Sequence, residues 1–194
     1  MNNTAPDMYE RLQFLQQYKH VAIVGISADQ YRPSHFVAIY LQAEGYDIIP
    51  INPRYAGQTI LGKRVYATLT EAKQAGETIE IVDVFRKPED VPPFADEAIA
   101  IGAKILWLQL GIRNEEAAQK AHDTGLIVVQ DRCMKIEHAR FFGGLHTVGL
   151  NTGVILSKKL TSTGAVIFCQ HLDPIYGTVV KFALQISFLQ SSTS

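Results

Sequence analysis

Cysteine, long apolar runs and net charge are all scarce in this sequence. Two cysteines, Cys133 and Cys169, are too few for a disulfide framework, and residues 1–17 are polar and helix-like where a secretory signal would be apolar. The expected compartment is therefore the reducing cytoplasm. No stretch approaches the eighteen or so consecutive apolar residues of a membrane span, because Lys181 interrupts the most apolar late segment, so no membrane association is expected. A formal net charge of -1 gives no long-range field to gather nucleic acid or an anionic membrane surface. His138 and His146 stand eight apart with no cysteine or carboxylate at zinc-ligand spacing, so no metal is expected and these rings read as surface or core.

What the sequence does have is the length and apolar content of one ordinary domain with a modest extension: 194 residues, 47% hydrophobic and 19% charged. Short β-rich runs at 21–26, 47–52, 79–85, 104–110 and 126–131 alternate with helical patterns. The runs are short and mostly apolar rather than strictly alternating, as in strands covered on both faces. Pro33 suits the first turn of a helix over 33–44 that Gly45 stops. Asn114 is a good N-cap for a helix ending at Gly125, and 88–102 reads as a third helix despite Pro92 and Pro93. The expected fold is α/β, a Rossmann-like doubly wound parallel sheet of about five strands with flanking helices. Composition shifts after Lys159, since residues 160–194 carry only Asp173 and Lys181 as charges, and apolar residues alternate over 180–188. A domain over 1–159 and an extension over 160–194 of uncertain structure are expected; a strand or a helix fits 180–188 almost equally.

In such sheets ligands bind at the carboxyl ends of the strands. The first strand ends in Gly25-Ile26-Ser27 and a loop into a helix that opens Arg32-Pro33-Ser34, a layout suited to phosphate: close backbone approach, free N–H groups and added donors. The next glycine after Gly25 is Gly45, so the G-x-G-x-x-G dinucleotide fingerprint is absent, as is an acidic ribose clamp after the second strand. That strand ends in Asn52-Pro53-Arg54, whose permanent cation suits a phosphate monoester such as the ribose phosphate of NADP or coenzyme A, and reads as readily as a solvated loop cation. Phe85, Arg86 and Pro88 follow the third strand as an apolar and cationic edge, Gln109 and Gly111 follow the fourth, and Cys133 follows the fifth beside Arg132 and Lys135. Gln109 offers an amide to an amide-rich ligand, and Trp107 reads as core. Cys133 is either a thiol beside cations or a buried inert cysteine; a nucleophilic Cys133–histidine pair is not supported by anything local.

Taken together, Val24-Gly25-Ile26-Ser27, Arg32-Pro33-Ser34, Ile51-Asn52-Pro53, Val82-Asp83-Val84-Phe85-Arg86-Lys87-Pro88, Trp107-Leu108-Gln109-Leu110-Gly111 and Asp131-Arg132-Cys133-Met134-Lys135-Ile136-Glu137-His138 make the chain resemble coenzyme A-binding proteins related to the N-terminal domain of the succinyl-CoA synthetase alpha subunit. The resemblance covers about 18–159. It implies that the first loop holds a diphosphate, Asn52-Pro53-Arg54 the adenosine ribose and its phosphate, residues 85–88 the adenine side, Gln109 with Gly111 the pantetheine, and the Cys133 segment the thiol end. The phosphohistidine and ATP-grasp parts of the synthetases have no counterpart, so no catalytic residue is expected. The expected function is binding of coenzyme A or an acyl-CoA as a carrier, sensor or presenting module, either as a homo-oligomer or beside a ligase partner subunit. The alternatives are an NADP-dependent oxidoreductase and the CoA-site subunit of a larger acyl-CoA ligase.

Overall fold

The structure, a computed structural model, describes residues 5–142. Five strands, β1 (His20–Val24), β2 (Asp47–Ile51), β5 (Ile81–Val84), β6 (Ile105–Leu108) and β7 (Ile127–Val129), form one parallel sheet in the order β2-β1-β5-β6-β7. A hairpin of β3 (Thr59–Ile60) and β4 (Lys63–Arg64) follows β2. Beyond it Tyr66 makes a single parallel bridge to Ile51, its N–H donating to Pro50 O while its carbonyl accepts from Asn52 N–H. With that bridge as a one-residue third strand, the spatial order becomes the 3-2-1-4-5-6 order of dinucleotide-binding sheets. Pro50 helps to explain the reduction. It brings no N–H to the same outer side of β2, where a full ladder would need one.

Successive side chains alternate between faces, and both faces are covered. Val21, Ile23, Ile81, Ile105 and Trp107 pack with helices α1 (Met8–Gln17), α2 (Pro33–Ala43) and α6 (Met134–Phe142). Ala22, Val24, Val82, Val84, Leu106 and Leu108 pack with α3 (Leu69–Gln74), α4 (Val91–Ala100) and α5 (Glu115–Asp123). This double coverage is why the strands read as mostly apolar runs, with Asp83 of β5 as the buried exception. The helix signals hold: Pro33 occupies the first turn of α2, Gly45 has φ +83° just past its end, and Asn114 accepts from Ala117 N–H at 2.9 Å to cap α5. The 88–102 helix begins as a 3-10 turn, Pro88–Asp90, and Pro92 and Pro93 fall in the first turn of α4, where no N–H is needed.

The strands end one to two residues earlier than the apolar runs predict, because the last residues of each run rise out of the ladder into the loops of the carboxyl edge. The hairpin was not foreseen, since two-residue strands carry too little periodicity. The alternation over 180–188, the 159/160 boundary, His146 and Cys169 lie outside the described residues. No helix among the described residues is long and apolar enough to cross a membrane, and none of their His, Cys, Asp and Glu side chains form a group of three placed to hold a metal.

Candidate functional site

Strand order reverses between β1 and β5, where chain connections leave in opposite directions, and this opens a crevice at the carboxyl edge. An open cleft of about 1240 Å³ lies there, lined by residues following β1, β2, β5, β6 and β7. It gathers Gly25, Ile26, Ser27, Arg32, Pro33, Ser34, Asn52, Pro53, Arg54, Phe85, Arg86, Pro88, Gln109 and Cys133. Of the residues expected from sequence, Gly111 is not brought into the lining; at φ +79° its N–H donates to Asp131 Oδ1 at 2.7 Å and ties two exit loops together. Lys87, within the 85–88 segment expected there, lines it too, and Asp29, Tyr55, Asp90, Leu110 and Ile136 line the cleft without an expected role. Of these, Ile136 was accessible to sequence reasoning, because it sits three residues after Cys133, in the first turn of α6.

Gly25 is a glycine for a reason internal to the chain. It has φ +84°, and a Cβ there would lie 2.6 Å from Phe85 O and 3.0 Å from Arg86 Nε. The close approach is therefore between the exits of β1 and β5. The loop into α2 is held by its own side chains: Ser27 N–H donates to Ser34 Oγ at 3.1 Å, His35 Nδ1 meets Ser27 O at 2.8 Å, and Tyr31 N–H donates to Asp29 Oδ1 at 2.9 Å.

Asn52 is buried, and both ends of its amide are engaged on the protein. Nδ2 donates to Ile26 O at 2.6 Å, while Oδ1 accepts from Arg54 N–H at 3.1 Å and from Arg86 Nη2 at 3.4 Å. Asn52 thus braces the β1, β2 and β5 exits, and Arg54 is the more available group for a ligand. The lining carries four cations, Arg32, Arg54, Arg86 and Lys87, and two carboxylates, Asp29 and Asp90. Arg32 and Lys87 make long exposed pairs at 3.8 Å to Asp29 and Glu89, which screening renders weak. Arg54 and Arg86 have no ion pair among the described residues, and Arg86 Nε is buried with no hydrogen-bond partner. The cleft is locally cationic on a chain of nearly zero net charge.

Beneath this surface Asp83 is fully buried on β5, in register with Ile23 and Trp107. The Gln109 amide nitrogen donates to both of its oxygens at 2.9 Å. Burial pushes the carboxyl up to about 8, with the Gln109 hydrogen bond pulling the other way. Trp107 is core, its Nε1 donating to Arg132 O at 2.7 Å and so anchoring the loop that leads to Cys133, which is partly exposed on the cleft. His138 is core too, edge-on to Tyr40 and Tyr46 and tilted against Phe142, with its imidazole pushed down by burial.

Known proteins fall in line with this geometry. Residues 19–139 match the CoA binding domain family. The Uncharacterized protein YneT of Bacillus subtilis (strain 168) is 38% identical over 134 residues, 69% of this chain and 96% of that protein. A solved Thermus thermophilus structure, cell-free ID.343, is 36% identical with a TM-score of 0.67, covering 71% of this chain and all of that one. A hypothetical protein from Pyrococcus horikoshii OT3 is 37% identical with a TM-score of 0.66, over 74% and 100% of the two chains. The dinucleotide forming Acetyl-coenzyme A synthetase 1 of Ca. Korarchaeum cryptofilum, at 19% identity and TM-score 0.52 over 62% of this chain and 28% of its own, shares the fold. With a parallel sheet of the right order, a cationic cleft at its switch point and a family match over most of the described residues, this chain belongs to the CoA binding domain family.

Proposed function

We propose that the protein binds coenzyme A or an acyl-CoA in this cleft and serves as a carrier, sensor or presenting module, with no chemistry of its own, in the cytoplasm. The observation that carries the reading is the order of the exits. Arg54 follows β2 at one edge of the sheet and Cys133 follows β7 at the other, and the two strands lie four strand spacings, about 19 Å, apart. That is the span of an extended ligand with a phosphorylated ribose at one end and a thiol at the other. Between them, Arg86 brings a buried donor that lacks an acceptor, the complement of a diphosphate oxygen. Arg54 would take the ribose phosphate, Phe85 and Pro88 the adenine side, and Gln109 the pantetheine.

Titration calorimetry of the full chain with CoA, dephospho-CoA, NADP and NAD tests this. CoA binds, dephospho-CoA binds more weakly, and NAD does not bind; tighter binding of NAD than of CoA would overturn the reading. The cation at Arg54 also suits NADP, and the absent glycine fingerprint opposes it. Native mass spectrometry of freshly purified protein decides which of the two travels with the chain, and a copurifying catalytic subunit would favour the CoA site of a larger ligase.

A further inference from the structure

A buried carboxyl in the middle of a parallel sheet is an expensive choice, since an apolar residue in register with Ile23 and Trp107 would pack there without desolvating a polar group. Among the described residues the Asp83 carboxyl makes its side-chain hydrogen bonds with Gln109, a residue of the cleft lining. The Gln109 nitrogen sits 2.9 Å from each Asp83 oxygen, a contact that turns the amide nitrogen towards the carboxyl and the amide oxygen away from it. Gln109 itself is buried but lines the cleft, and its amide oxygen has no hydrogen-bond partner among the described residues. That oxygen is the polar atom the side chain has left to offer.

We propose that Asp83 is a positioning residue for ligand selection: by holding the Gln109 nitrogen, it turns the Gln109 oxygen into a fixed hydrogen-bond acceptor on the cleft floor, which selects a ligand whose chain donates an amide N–H there. This rests on the functional reading above and deepens it, because the pantetheine arm of CoA carries two such amides whereas the nucleotide part of the molecule carries none along its diphosphate. An unclamped glutamine would present nitrogen or oxygen by rotation; the clamp removes that freedom before the ligand arrives.

The test compares two ligands on the same protein, CoA and adenosine 3′,5′-bisphosphate, which keeps the ribose phosphate and lacks the arm. Asp83→Leu and Gln109→Met each lower CoA affinity about tenfold and leave the bisphosphate within about twofold. The double variant loses no more than Gln109→Met alone, because Asp83 acts only through Gln109. Asp83→Asn, which keeps an acceptor of the same size, retains most of the affinity. Asp83→Val serves as a second apolar replacement, and a CoA analogue N-methylated at its pantetheine amides probes the acceptor with the wild-type fold intact: wild type discriminates against it about tenfold and Gln109→Met does not. Equal losses for both ligands, additive losses in the double variant, or no discrimination against the methylated analogue overturn the inference while CoA binding by wild type stands. If wild type does not bind CoA, the functional reading fails and this inference fails with it.

Discussion

Two polar networks, one between helices on a face of the sheet and one at its carboxyl edge, are built differently. Where α6 packs on α1 and α2, every buried polar group closes on another: Glu137 accepts from Arg11 Nε at 2.9 Å and Arg140 Nη1 at 3.3 Å, His138 Nδ1 meets Tyr40 Oη at 3.0 Å, and Tyr46 Oη donates to Leu15 O at 2.6 Å. At the cleft the groups stay open among the described residues: Arg86 Nε is buried without a partner, the Gln109 oxygen is unengaged, and the Arg54 guanidinium lies 5.7 Å from the Tyr55 ring with no ion pair. The first network is complete as it stands and serves stability. The second is complete only when something else supplies acceptors and donors, which is what a binding site requires.

Substitutions separate the two. Gly25 belongs to both stability and site, and Gly25→Ala has the largest effect: a Cβ at 2.6 Å from a backbone carbonyl, on a residue at φ +84°, costs about 3 kcal/mol in urea denaturation and removes CoA binding as well. Arg11→Ala acts on the closed network alone. Glu137 is left buried with only Arg140, so stability falls by about 2 kcal/mol while CoA affinity is unchanged; a parallel loss of affinity in the folded variant would break the comparison.

The next effect is a pH dependence at the border of the two. The Asp83 pKa in the folded protein, about 8, lies above its ordinary carboxylate value of 3.8, so folding favours the protonated form. Its contribution is fully present below about pH 4 and is lost as pH rises towards 8, at about 1 kcal/mol per pH unit within that window. Asp83→Asn flattens the profile between pH 5 and 8, and an unaltered slope in chemical denaturation would show that the carboxyl is not buried as described.

Arg54→Ala is the converse of Arg11→Ala. A charge-assisted hydrogen bond of about 1.5 kcal/mol is lost from the complex, CoA weakens about tenfold, dephospho-CoA is unaffected, and the unfolding midpoint does not move. Last and smallest, removal of residues 160–194 changes CoA affinity by less than about twofold in calorimetry, since every proposed contact precedes residue 140 and the family match ends at residue 139.

How far these features are legible in the sequence depends on their range. A strand covered on both faces is mostly apolar, and Pro33, Gly45 and Asn114 act within a few residues of their own helix, so strands, helices and most of their ends follow from local pattern. The gathering of Gly25, Arg54, Gln109 and Cys133 at one edge follows nearly as directly, because in a parallel sheet all carboxyl ends lie on one side. What each group does there does not follow. Asn52 and Asp83 read identically as polar residues at or near strand ends, yet one braces three loops and the other holds the Gln109 amide; Gly111 ties loops outside the lining. Those roles depend on which neighbours the sheet brings within about 3 Å across tens of residues of chain. A linear pattern carries periodicity but not the identity of such distant partners, so the fold and the location of the site were determined by the sequence, and the direction of each polar group was decided only by tertiary packing.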